Sequence, residues 1–211
     1  MADSIALPVE GWVLCGGESR RMGGQDKGLI DWQGHPLAWH VASTLASQVS
    51  QVTLNANRHL DTYRHWPWPV CPDDPALPVH SGPMVGLLTG LQKATTHWLQ
   101  LAPCDTPMLP TDLVKRLLTA AEQTHASVVV PVTRHQGGGV LYHHWTAALV
   151  ACHGMADLAK AVERGERKLG QWMTRQRWTA VLFDDTHLAG RAFKNMNTPQ
   201  DLVMDAGTNA P

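Results

Sequence analysis

Residues 11–28 read GWVLCGGESRRMGGQDKG, in which a short apolar run is followed at once by a loop with five glycines. The run predicts a buried strand, and the glycines let the loop backbone adopt positive φ angles. Several N–H groups can then point at one phosphate. Arg20, Arg21 and Lys27 lie in the same loop and can neutralise a triphosphate. The stretch therefore predicts a βα unit that holds its ligand by phosphate groups.

The loop differs from two common phosphate-binding motifs. In the P-loop, G-x-x-x-x-G-K-[ST], a hydroxyl residue follows the lysine and holds Mg²⁺, whereas Gly28 follows Lys27 here. The spacing also fails the dinucleotide fingerprint, which needs an acidic residue at the end of the second strand. A P-loop ATPase and a dehydrogenase are therefore both disfavoured.

Composition and charge narrow the class of protein. The chain has 211 residues, 44% of them hydrophobic and 17% charged, with a formal net charge of -1. We expect one domain over residues 1–211, and the near-neutral charge gives no basic field for nucleic acid. No apolar run reaches the roughly 20 residues that span a bilayer, and the chain does not begin like a signal peptide. We expect a cytoplasmic protein with no nucleic-acid or membrane partner.

Strand-like and helix-like segments alternate along most of the chain, which is typical of βα units in a parallel sheet. We expect a Rossmann-like, doubly wound α/β fold with a mostly parallel sheet and helices on both faces. The loop at residues 66–79 is long for a βα connection, so we expect it to be structured around a ligand or mobile. Strands are predicted at residues 11–15, 51–55, 97–102, 127–132, 140–143 and 179–183, and helices at 37–47, 81–93, 111–122, 155–164, 169–175 and from 199.

Asp105 follows the apolar strand predicted at residues 97–102. Open α/β sheets bind ligands at the carboxyl ends of their strands. A carboxylate there, beside a phosphate loop, is suited to Mg²⁺ that bridges nucleotide phosphates, although an Asp can also simply cap the next turn. We expect the metal-binding role.

Asn55 and Asp73 are candidates for contact with a base. Asn55 ends the second predicted strand, and Asp73 lies in the long loop. An amide can hydrogen-bond a base or ribose, and a carboxylate can accept the two N–H donors of a guanine edge. Asn and Asp are also ordinary turn residues, so each signal is weak alone.

The motifs taken together resemble the MobA family of molybdenum cofactor guanylyltransferases, over nearly the whole chain. The glycine-rich loop alone is typical of the wider nucleotidyltransferases that build nucleotide sugars, and the combination is more specific. The motifs are L-x-G-G-x-x-x-R-M-G-G-x-D-K-G at 14–28, N-A-N-R at 55–58, G-P-x-x-G at 82–86, C-D-T-P at 104–107 and N-x-N-T-P at 195–199.

The resemblance implies a nucleotide-diphospho-sugar transferase-like fold and transfer of GMP from GTP to molybdopterin, with release of pyrophosphate and Mg²⁺ as cofactor. The N-terminal half of the chain would bind GTP and the C-terminal half molybdopterin. Transient contacts with other molybdenum cofactor biosynthesis proteins and apo-molybdoenzymes are implied too. By position, the residues that would bind GTP are Leu14, Cys15, Gly16, Lys27, Asn55, Asp73 and Asp105, and Asp105 would also bind Mg²⁺. Two residues, Asn195 and Asn197, would face the pterin. The residues that would act in catalysis are Lys27, Asp105 and Arg21.

Two positions depart from the family pattern. A His-Pro pair usually leads from the Val-rich strand into the next one, whereas residues 136–139 read QGGG and His135 has no proline after it. This departure affects the pterin side of the site. Cys15 stands where alanine is usual, a change between small residues that we expect to be tolerated.

Three alternative functions stay open. The first is a cytidylyltransferase that acts on the same pterin, and the second is a sugar-1-phosphate nucleotidyltransferase, because both classes of enzyme share the fold. The third is a non-catalytic carrier of the molybdenum cofactor. Lys27 and Asp105 argue against the carrier, because storage needs no metal-binding carboxylate beside a triphosphate loop.

Overall fold

A computed structural model describes residues 9–15, 25–78, 82–134, 139–184 and 191–204. Within these ranges the strands are β1 (Val9–Leu14), β2 (Asp31–Trp32), β3 (His35–Pro36), β4 (Gln51–Asn55), β5 (Val70–Cys71), β6 (Trp98–Pro103), β7 (Val128–Arg134), β8 (Leu141–His143), β9 (Leu149–Ala151) and β10 (Trp178–Leu182). The helices are α1 (Leu37–Ala46), α2 (Leu60–Arg64), α3 (Pro83–Lys93), α4 (Leu113–Thr124), α5 (Met155–Glu163), α6 (Leu169–Met173) and α7 (Pro199–Met204).

The main sheet has the strand order β10-β7-β9-β6-β1-β4-β5, with β8 paired to β7. β1 runs parallel to both β4 and β6, and the β4–β5 and β7–β10 pairs are also parallel. β9 is antiparallel to both of its neighbours, β6 and β7. After β1 the chain therefore continues to β4 on one side of β1, and it later forms β6 on the other side of β1. This is the switch point at which doubly wound sheets bind ligands.

Helices cover both faces of the sheet, as expected for a doubly wound fold. On one face, α1 and α4 pack through buried side chains such as Val41 and Leu117. On the other face, α3, α5 and α6 pack around Leu88 and the fully buried Trp172. Across the ranges given above, no helix combines the length and the apolar character that a membrane crossing needs.

All the predicted strands and helices have counterparts, with ends shifted by a few residues. Four features were not predicted: the β2–β3 hairpin, α2, β5 and β9. Each is short, so its apolar spacing carries almost no periodic signal. Ser81, the predicted cap of α3, lies outside the described residues, and Gly82 directly precedes the helix.

The long loop at residues 66–79 is structured by the sheet itself. β5 lies within it and pairs in parallel with the end of β4, so that Asn55 lies opposite Cys71. Its backbone is therefore partly held by ladder hydrogen bonds, and the loop brings Asp73 to the sheet edge.

Gly90 lets α3 approach the sheet closely. A Cβ atom at this position would lie 2.7 Å from Leu99 Cδ2 and 2.9 Å from Trp12 Cδ2. Gly90→Ala gains about 1 kcal/mol in helix propensity but incurs an overpacking cost of about 1–3 kcal/mol. We expect a net loss of up to about 2 kcal/mol in the free energy of unfolding, measured by urea denaturation.

The matched control is Gly154→Ala, because the nearest atoms to its new Cβ lie 3.7 Å away, an ordinary contact distance. It should leave the free energy of unfolding nearly unchanged. A Gly90→Ala variant that is more stable than Gly154→Ala would contradict close packing of α3 at Gly90.

Candidate active site

The carboxyl ends of β4, β1 and β6 lie side by side at one edge of the sheet. Leu14 pairs with Asn55 on one side and with Pro103 on the other. The backbone N–H of Cys15 donates to Asn55 O at 2.8 Å, and that of Cys104 donates to Leu14 O at 3.2 Å. The strand-end residues predicted to bind a nucleotide are thus neighbours in the structure.

The thiols of Cys15 and Cys104 are buried beneath this edge. A hydrogen bond with Cys15 and burial raise the pKa of Cys104 well above its ordinary value. Cys104 therefore remains a protonated thiol and packs as a small apolar side chain. Cys15 is buried in the core, with its thiol directed to Val13 O at 3.6 Å.

A buried aspartate fixes the turn that carries Lys27. Asp26 Oδ1 accepts hydrogen bonds from the Gly28 N–H and the Tyr63 hydroxyl, both at 3.0 Å. Burial is the main cause that raises the pKa of Tyr63, so its hydroxyl stays protonated and donates to Asp26. A Cβ at Gly28 would overlap the Tyr63 hydroxyl. This explains why glycine follows the lysine, where a P-loop has Ser or Thr.

Lys27 lies between two other residues that the sequence analysis singled out. Its Nζ donates to Asp105 Oδ2 at 2.6 Å and to Asn197 Oδ1 at 2.5 Å. The Lys27 and Asp105 side chains are only 18% and 16% exposed. The structure thus joins the turn that carries Lys27, the end of β6 and the C-terminal segment at one charged contact.

The C-terminal segment is held on the site by its backbone. The Met196 N–H donates to Asp105 O at 2.8 Å, and the Met196 side chain is fully buried. Asp201 Oδ2 accepts from the Asn197 and Thr198 N–H groups, and Thr198 Oγ1 accepts from the Asp201 N–H at 3.3 Å. This reciprocal capping arrangement begins α7 and sets the position of Asn197 beside Lys27.

Asn55 and Asp73 form a polar cluster at the β4–β5 side of the site. The Asn55 side chain is nearly buried, and its Nδ2 donates to Asp73 Oδ1 at 2.9 Å and to Cys71 O at 3.1 Å. A Cβ at Gly86 would lie only 2.6 Å from Asn55 Oδ1. The second glycine of the G-P-x-x-G motif therefore leaves the space that Asn55 needs.

A cavity of about 170 Å³ opens on the opposite side of Asp105, beyond the end of β6. Its aromatic lining includes His144, whose ring stacks on Phe193 at 4.6 Å between centroids, and Tyr142, whose ring lies 5.1 Å from His144. Thr106 and Asn195 also line it. The sequence analysis missed the ring residues because the fold, and not a motif, brings them together.

His144 is an uncharged ring in this cavity. Its Nε2 hydrogen-bonds Thr133 Oγ1 at 2.9 Å, and burial, assisted by His143, lowers its pKa to about 4. His144 is followed by Trp145 and leads from β8 toward β9. His135 and residues 136–138 lie outside the described residues, so the departure from the His-Pro pattern stays a prediction.

Gly16, Arg20 and Arg21 also lie outside the described residues, so their phosphate-binding roles stay predictions. Among the residues that are described, no three His, Cys, Asp or Glu side chains group to hold a metal ion. Asp105 offers one carboxylate. Because Mg²⁺ commonly binds through one or two carboxylates together with substrate phosphates and water, this donor suits an ion that arrives with a nucleotide.

An amide cluster lies on one side of the Lys27–Asp105 pair, and a ring-lined cavity lies on the other. With the glycine-rich loop, this defines the class as a nucleotidyltransferase. The comparison with known proteins agrees. The model of the MobA-like NTP transferase domain matches residues 11–179, and the chain belongs to this family.

Relatives and solved structures extend the comparison. The chain is 39% identical over 194 residues to the molybdenum cofactor guanylyltransferase of Cupriavidus necator, an alignment that covers 92% of this chain and 94% of the relative. The molybdopterin-guanine dinucleotide biosynthesis protein A of Archaeoglobus fulgidus superposes with a TM-score of 0.73 at 20% identity, covering 92% and 95% of the two chains.

The 4-diphosphocytidyl-2C-methyl-D-erythritol synthase of Anaerococcus prevotii has a TM-score of 0.70 at 9% identity, covering 93% of this chain and 95% of that chain. These likenesses confirm the expected nucleotide-diphospho-sugar transferase-like fold. Because the neighbours include a cytidylyl enzyme, the fold itself does not select the base.

Burial of His144 predicts an acid-dependent loss of stability. Its pKa is 6.5 in an unfolded chain and about 4 in the folded protein, so between these values the unfolded state binds more protons. This contribution to stability is complete above pH 6.5 and is lost as the pH falls toward 4. Near pH 5 the loss should be about 2 kcal/mol.

Urea denaturation near pH 7 and near pH 5 tests this effect in the wild type and in His144→Gln. The stability difference between the two proteins should move in favour of the variant at the lower pH. His153→Gln, at an exposed histidine, is the control for loss of a histidine as such. An unchanged difference between wild type and His144→Gln would show that His144 is not held neutral by burial.

Proposed function

We propose that this protein transfers GMP from GTP to the terminal phosphate of molybdopterin, releasing pyrophosphate and forming the guanine dinucleotide form of the cofactor. The observation that carries the proposal is the position of the Lys27–Asp105 pair, between the Asn55–Asp73 cluster and the cavity at His144. The curated relatives named as molybdenum cofactor guanylyltransferases support the same reaction.

The reaction depends mainly on positioning of the two substrates and on neutralisation of the charge on their phosphates. A phosphate nucleophile is already ionised at neutral pH, so the attack on the α-phosphorus needs no general base. Lys27 would offset the charge that develops on the departing pyrophosphate. Asp105 would hold Mg²⁺, which when bound neutralises charge on the phosphate oxygens. Asn197 is placed to orient the Lys27 ammonium, since it already accepts a hydrogen bond from it.

We assign the residues according to the side of the Lys27–Asp105 pair on which they lie. On the guanosine side we assign Leu14, Cys15, Gly16, Asn55 and Asp73. Arg21 and Lys27 are assigned to the phosphates, and Asn195 to the pterin. Asn197 was expected at the pterin, but its contact with Lys27 suits the phosphate side better.

The proposal includes a single domain over residues 1–211, whose N-terminal half binds GTP and whose C-terminal half binds molybdopterin. Strands from both halves in one sheet support it. We further propose that the protein acts in the cytoplasm and makes transient contacts with other molybdenum cofactor biosynthesis proteins and with apo-molybdoenzymes, because its product must be received by an apoenzyme.

Base selectivity separates this function from cytidylyl transfer. Guanine offers N1–H and N2–H₂ donors side by side, which one carboxylate can accept together, whereas cytosine presents one donor beside acceptors. With molybdopterin and Mg²⁺, pyrophosphate release should be at least about 100-fold more efficient with GTP than with CTP or ATP. Equal or better use of CTP would overturn the guanylyl assignment and leave the nucleotidyltransferase class standing.

Asp105→Asn tests the metal-binding role. The substitution removes the charge that Mg²⁺ requires and keeps the shape of the side chain, so we expect kcat/KM for pyrophosphate release to fall by about 100-fold or more. The matched control is Asp61→Asn, at a side chain that is 96% exposed on α2. Wild-type turnover by Asp105→Asn would contradict the assignment, and thermal unfolding verifies that both variants are folded.

A further inference from the structure

Asp73 is held at three points by two asparagines. Asn55 Nδ2 donates to its Oδ1 at 2.9 Å, and Asn57 Nδ2 donates to its Oδ2 at 2.7 Å. The Asp73 backbone N–H in turn donates to Asn57 Oδ1 at 2.8 Å. Each carboxylate oxygen therefore has its own amide donor, and the Asn57–Asp73 contact is reciprocal.

These bonds fix the plane of the Asp73 carboxylate. A carboxylate oxygen has two lone pairs, so after one amide bond each oxygen can still accept one more donor. The direction of the two remaining acceptor sites is fixed, because rotation of the carboxylate would break a bond to Asn55 or Asn57. This geometry matches a ligand edge that carries two adjacent N–H donors.

The position of Asn57 indicates that it does more than stabilise the fold. Asn55 is nearly buried at the end of β4, whereas Asn57 is exposed just beyond it. Both polar atoms of the Asn57 side chain contact Asp73. An exposed loop amide contributes little to the core, so the effect of removing it should appear at Asp73.

We propose that Asn57 is a positioning residue that sets base selectivity, by fixing the Asp73 carboxylate to accept two adjacent N–H donors of a purine edge. The inference rests on the proposed function, in which that edge belongs to guanine. Asn57 itself does not touch the base. It acts on the exocyclic amino group through Asp73 Oδ2, the oxygen that it holds.

The test compares GTP with ITP, which keeps N1–H but lacks the 2-amino group. Wild-type protein should prefer GTP, and Asn57→Ala should lower the GTP-to-ITP ratio of kcat/KM by about tenfold, mainly through weaker use of GTP. The affinity ratio, measured by calorimetry, should shift in the same direction. Gln51→Ala removes an exposed amide at the start of β4 and is the matched control.

Asn57→Asp keeps one of the two hydrogen bonds between residue 57 and Asp73 and removes the other. An aspartate can still accept the Asp73 N–H, so the loop contact is retained, but it cannot donate to Asp73 Oδ2 and adds a like charge beside it. The GTP-to-ITP ratio should fall in this variant as well. Because the residue is exposed, thermal unfolding should be close to that of the wild type for both variants.

The outcomes distinguish this inference from the proposed function. If the wild type prefers CTP to GTP, the proposed function fails whatever Asn57 does. If the wild type prefers GTP to both CTP and ITP while both Asn57 variants keep the wild-type GTP-to-ITP ratio, only the role of Asn57 is overturned. An equal loss for GTP and ITP would also overturn it, since a general structural role predicts that result.

Discussion

The contact between Lys27, Asp105 and Asn197 is the interaction on which the arrangement of the site depends. An ion pair that is mostly shielded from water is stable only when both partners are held in good geometry, because each charge loses hydration. Each partner is fixed separately here. Asp26 and Tyr63 hold the turn of Lys27, the end of β6 carries Asp105, and the capped start of α7 presents Asn197.

The strand order explains why the Asn55–Asp73 cluster and the ring-lined cavity lie apart. β1 lies between β4 and β6, so the ends of β4 and β5 carry the Asn55–Asp73 cluster on one side of the pair. β6 and the antiparallel β9 lie on the other side, where the ring-lined cavity opens. A group passed from one substrate to the other would cross the position of Lys27 and Asp105, where charge neutralisation is needed.

The sequence predicted the parts of the fold that depend on local pattern. The strands ending at Leu14, Asn55 and Pro103 follow from apolar runs, and α1 and α3 from helical spacing with proline in or just before the first turn. Lys27, Asn55, Asp73 and Asp105 were identified from strand ends and motifs, and the structure brings Lys27 to Asp105 and Asn55 to Asp73.

Features made by distant contacts could not be predicted in this way. β5 has two residues and exists because β4 lies beside it, and the His144–Phe193 stack joins segments far apart in the chain. Asn57 lies in the N-A-N-R motif, but the sequence did not show that its partner is Asp73. That contact forms only when the loop folds Asp73 against Asn57.

A double-mutant cycle on Lys27 and Asp105 tests most directly whether the pair acts as a unit. The kcat/KM for pyrophosphate release is measured with GTP, Mg²⁺ and molybdopterin for the wild type, Lys27→Met, Asp105→Asn and the double variant. Residues that act together give strongly non-additive losses. We expect the second substitution to cost much less once the first is present. Losses in kcat/KM that simply multiply would contradict a shared role at one phosphate site.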